Sequence, residues 1–126
     1  MKIENIKFKA KELGTGKWKV GFLQRDMDYN LCILIANKED HSWYWTQIDP
    51  STVCMFTGLK DCEGNEIYEG DIISSPHFER VATVKWDDSL CGFKCSDVTG
   101  NINFSFTAIA HCSEWSIVGN EFDKKK

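Results

Sequence analysis

The chain has 126 residues, 42% of them apolar and 13% aromatic, with a formal net charge of -4. That length suits one domain or two very small ones, and that composition excludes general disorder. An acidic balance disfavours a uniformly basic nucleic-acid binder, and the lack of an apolar run of about 18 residues disfavours a membrane helix.

The charge is uneven. Lys2, Lys7, Lys9, Lys11, Lys17, Lys19 and Arg25 outnumber Glu4 and Glu12 in the first 25 residues, and Lys124-Lys125-Lys126 ends the chain. The acidic groups therefore concentrate in the middle. The N-terminal stretch alternates charged and apolar residues without the apolar core of a signal peptide, so a cytoplasmic protein is expected. In that compartment the six cysteines, none in a C-x-x-C pair, are expected to be free thiols.

Period-two alternation runs along the chain and predicts strands with one buried face. Ile6 and Phe8 alternate with Lys7 and Lys9. After the turn Gly14-Thr15-Gly16, Trp18, Val20 and Phe22 form the apolar face of a second strand, opposite Lys19 and Gly21. Leu31 to Ala36 is continuously apolar, as in a strand covered on both faces. Trp43 and Trp45 face one way, and Tyr44, Thr46 and Ile48 the other. Pro50 lacks a ladder donor, so a strand should stop at Asp49-Pro50-Ser51-Thr52.

The stretch from Thr57 to Ile73 reads as a turn followed by a strand start. Gly58 and Gly64 suit conformations that other residues resist, and Asp61 and Asn65 can bond nearby amides. Ala82, Val84 and Trp86 share a face. Further strands are expected at 90–95, at Ile102 to Phe106, and at Trp115 to Val118. A short helix or 3₁₀ turn is expected at 107–113. Short strands at this spacing predict a small barrel or sandwich with little helix.

Thr57-Gly58-Leu59-Lys60-Asp61, together with Glu66-Ile67-Tyr68-Glu69-Gly70-Asp71-Ile72, resembles the signature of the YopX-like proteins of bacteriophages and prophages. Ile48 to Val53, Val81 to Trp86 and Val118-Gly119-Asn120 extend the likeness over most of the chain. The chain departs from the family pattern after Asn120 and at Cys54 and Cys62. The resemblance implies an all-β protein of phage or prophage origin, with a β-rich region at 1–56, an SH3-like barrel at 57–123 and a lysine tail at 124–126. It implies no catalytic, cofactor-binding or metal-binding residues.

Asp61, Glu63, Glu66, Glu69 and Asp71 offer oxygen ligands, but their spacing fits no EF-hand, and a solvated acidic surface is the simpler expectation. Cys91, Cys95, His111 and Cys112 are chemically able to hold zinc, but the spacing is poor. No phosphate loop or catalytic motif appears, so no enzyme is expected. The aromatic surplus carries more. Trp18, Trp43, Tyr44 and Trp45, with Lys7, Lys9, Lys17 and Lys19, are the candidate partner-contact residues. Small barrels hold peptides or single strands on such rings. A non-enzymatic module that binds protein, another copy of itself included, is the first expectation. The alternative is a nucleic-acid-binding accessory that uses the same lysines and rings. Lys7, Lys9 and Lys11 also suit the solvent face of an edge strand protected against aggregation.

Overall fold

The computed structural model describes residues 2–37, 39–76, 78–97, 103–105 and 114–123. The protein is all-β, with eleven strands among these residues and three single 3₁₀ turns, Ile3–Asn5, Pro50–Thr52 and Glu121–Asp123. The turn expected at 107–113 lies outside the described residues, as does the lysine tail. No helix among the described residues is long and apolar enough to cross a membrane. The chain divides into two compact units, residues 1–56 and 57–126.

The first unit holds β1 (Phe8–Lys11), β2 (Trp18–Arg25), β3 (Leu31–Ala36), β4 (Trp43–Gln47) and the start of β5 (Cys54–Lys60). The order β4-β3-β2-β1-β5 is antiparallel at each junction, with Phe8 opposite Gly21 and Met55, Phe22 opposite Leu34, and Leu34 opposite Trp45. Glu12 bridges to Ile48, so the end of β1 also meets the end of β4 and closes that end of the sheet on itself. Inside lie Ala10, Ile33 and Ile48, packed by Phe8, Leu23, Leu31, Ile35 and Val53. Each fully buried large aliphatic side chain contributes about 1.5–3 kcal/mol.

This register corrects two expectations. Trp18, Val20 and Phe22 are not the buried face of β2. Val20 and Phe22 are 43% and 42% exposed, and it is Leu23 that packs inward. β1 is not an edge strand, because β2 and β5 flank it. The apolar run of β3 is covered on both faces only near its start. Cys32 and Ile33 are buried, Leu34 and Ile35 are half-buried, and Ala36 is exposed. β4 stops before Pro50, where Asp49 accepts the Ser51 amide and caps the 3₁₀ turn.

The second unit holds the rest of β5, β6 (Glu66–Tyr68), β7 (Asp71–Ser75), β8 (Phe78–Asp87), β9 (Gly92–Asp97), β10 (Asn103–Ser105) and β11 (Ser116–Asn120). Five of these form an antiparallel sheet in the order β10-β9-β8-β7-β11. Its core is Ile67, Ile73, Ala82, Val84, Cys95 and Trp115, with Leu59, Phe93 and Ile117 against it. The last strand, β11, returns to pair with β7. No pairing among the described residues joins β10 to β11.

Candidate functional site

The stretch at 57–73 is mostly architecture. Thr57 to Lys60 belong to strand β5 rather than to a turn. The turn proper is 61–65, with Gly64 at φ +86°. Asp61 Oδ1 accepts the amides of Glu63 (2.9 Å) and Asn65 (2.8 Å), and Oδ2 accepts the Ile117 amide of β11 (3.1 Å). Asp71 accepts the Tyr68 amide at 2.7 Å and the Asn120 side chain at 2.9 Å. The Gly70 amide donates to the Val84 carbonyl, and its carbonyl accepts from Glu121. Two carboxylates therefore fasten the turn and β7 to the last strand.

Both are buried, which corrects the expectation of a wholly solvated acidic surface. Burial pushes the Asp61 carboxyl upward, but the amides of Ile117 and Asn65, the Asn65 side chain and the Glu63 amide outweigh it and hold the group below its ordinary value. Among the described residues, no group of three or more His, Cys, Asp or Glu side chains converges on a metal position. Cys95 is buried in the second core, where desolvation pushes its thiol up to about 12, while Cys91 is exposed in the preceding turn. The other two candidate zinc ligands, His111 and Cys112, lie outside the described residues.

The surface with binding character is the outer face of the first unit. Strand alternation places Lys9 and Lys11 of β1, Trp18, Val20 and Phe22 of β2, Leu34 of β3, and Trp43 and Trp45 of β4 on one side of the sheet. The other side already supplies the core. Trp43 and Trp45 are 56% and 61% exposed. Phe22 and Trp43 meet with ring centroids 6.4 Å apart. Lys9 Nζ stands 4.7 Å and Lys11 Nζ 5.4 Å from the Trp18 ring, contacts worth about 0.5–1 kcal/mol each at exposed sites. Next to Trp45 is an open hollow of about 550 Å³, walled by Gln24 and Arg25 at the end of β2 and by Asp26, Met27 and Asp28 of the β2–β3 turn. Asp26 shapes that turn, accepting the amides of Asp28 and Asn30 and the side chain of Gln47.

The candidate residues separate on this framework. Trp18, Trp43, Trp45 and Lys9 share the outer face. Lys7 stands over the Phe56 ring at 4.9 Å. Tyr44 points to the opposite side of the sheet and is itself half-exposed. Lys17 lies in the exposed β1–β2 turn, and Lys19, opposite Ala10, lies on the core side near the end that the Glu12–Ile48 bridge closes. There Glu12 accepts from Thr46 at 2.5 Å and from Thr15 at 2.7 Å, bonds that hold its carboxyl below the ordinary range. The sequence reading missed Val20 and Phe22 as surface residues. Their alternation with Lys19 and Gly21 was visible, but which side faced water was not.

A five-strand unit with an aromatic outer face, followed by a unit tied together through its turn carboxylates, defines an all-β protein of two small units. The chain belongs to the YopX protein family, whose model matches residues 8–125. No curated protein matches it.

Proposed function

We propose that the protein is a non-enzymatic accessory module of phage or prophage origin, working in the bacterial cytoplasm, that docks a protein partner on the outer face of its first unit. One observation carries the reading: Val20, Phe22, Trp43 and Trp45 lie 42–61% exposed on one face of a sheet whose opposite face forms the core. Large contiguous apolar patches on soluble proteins mark contact surfaces. Rings are efficient contact groups because they bury much area at low entropic cost. The lysines stacked on Trp18 border the patch with positive charge and favour a partner with acidic groups beside its apolar ones.

Affinity capture from bacterial cytoplasm, using the wild type and a Val20→Ser/Phe22→Ser variant, tests this. Both substituted side chains lie outside the core, so the variant should fold with stability within about 0.5 kcal/mol of wild type. The expected result is a protein retained by the wild type and lost by the variant. Equal retention by both contradicts the reading. Fluorescence anisotropy with single-stranded DNA tests the nucleic-acid alternative, which predicts binding that weakens steeply with salt.

A further inference from the structure

The edge of β4 has a property separate from its exposed rings. The Ile48 amide donates to the Leu31 carbonyl, and the Asn37 amide donates to the Ser42 carbonyl. In an antiparallel ladder hydrogen-bonded pairs alternate with unbonded ones. Ser42, Tyr44, Thr46 and Ile48 therefore turn their backbone groups toward β3, and Trp43, Trp45 and Gln47 turn theirs away. The Gln47 carbonyl is taken by the Leu13 amide, where the end of β1 closes on β4. Beyond that point the β1–β2 turn leaves, as the Gly16 amide bonds back to the Glu12 carbonyl. Among the described residues, Trp43 and Trp45 thus present a short open edge.

Natural proteins protect such edges with lysine, proline, bulges or inward charges. The strand Trp43-Tyr44-Trp45-Thr46-Gln47 has none of these, and its pairing to β3 is regular throughout. It carries no charge, so an identical strand laid beside it meets no like-charge repulsion. It is also self-complementary. An antiparallel copy placed about a two-fold axis at Tyr44 sets Trp43 against the copy's Trp45, and Trp45 against its Trp43. Each pair exchanges both amide–carbonyl bonds, and the next position outward is already closed by Leu13. On the outer face the tryptophans form a cross-strand aromatic ladder. On the other face Tyr44 lies against its own copy in an unbonded pair, where side chains approach most closely.

We infer that this edge pairs with the β4 edge of a second copy of the chain, joining two first-unit sheets through four backbone hydrogen bonds between Trp43 and Trp45. The inference rests on reading the first unit as a contact module, but it uses the strand edge and Tyr44, which Val20→Ser/Phe22→Ser leaves intact.

The test exploits the two-fold at Tyr44. Sedimentation equilibrium on the full-length wild type at about 100 μM should give a dimer. Tyr44→Lys and Tyr44→Glu place like charges directly across the axis, and each should weaken self-association by about fivefold or more. Mixed in equal amounts, the two variants should recover a dimer containing one of each. Trp45→Pro, which removes an outward amide without breaking a β3 bond, should be monomeric while keeping the wild-type circular dichroism. A monomeric wild type overturns the inference but leaves the capture result on Val20→Ser/Phe22→Ser standing. Dimers of unchanged affinity in Tyr44→Lys, or a mixture that does not recover association, also overturn it.

Discussion

Single side chains settle what the 57–73 stretch is for. Asp61 and Asp71 accept from backbone amides and from the side chains of Asn65 and Asn120, which makes both of them structural ties. The turn-holding role of Asp61 was legible from its place two residues before Glu63 and four before Asn65. Its bond to Ile117, 56 residues away, was not, because no local pattern encodes a partner that distant. This bond has a pH consequence. The folded-state carboxyl is held below its ordinary value of 3.8, so its contribution is complete above that value and is lost as acid lowers the pH through the folded-state value. In urea unfolding, Asp61→Asn should therefore be less stable than wild type near about pH 7, and the gap should narrow toward about pH 2. A gap independent of pH would show that the charge on Asp61 does not stabilise the fold.

At the scale of a strand, β2 is the instructive element. Period-two alternation separates two faces but does not say which one is inside, and here the more apolar set faces out. The inner set works because Gly21 lets β2 approach β3 closely. A Cβ at Gly21 would fall onto the Leu34 carbonyl oxygen and 3.0 Å from Ile33 Cγ2. Alternation alone does not reveal that contact. Gly21→Val should destabilise the first unit by about 1–3 kcal/mol in urea unfolding, because backbone rather than a flexible side chain must move. Unchanged stability would show that the β2–β3 spacing is not set by Gly21. β4 was more legible: its opposed faces and its stop before Pro50 both followed from residue type. The exposure of all three of its rings was not, since that depends on how far β1 wraps around to meet Ile48.

Over the whole molecule, the all-β class and the family could be read from alternation and from the 57–73 signature. The site could be read only in part. Trp18, Trp43 and Trp45 stood out by type, whereas Val20 and Phe22 joined them only once strand register placed the core on the opposite face. The resulting division of labour gives the first unit its outward-facing rings and gives the second the internal ties of Asp61 and Asp71. Side-chain oxidation footprinting of the captured complex against the isolated protein tests this most directly. Val20, Phe22, Trp43 and Trp45 should be labelled in the isolated protein and protected in the complex, while buried Trp115 stays unlabelled in both. Unchanged labelling of the first-unit face, with protection falling instead on second-unit residues such as Trp86, Leu90 and Val118, would contradict it.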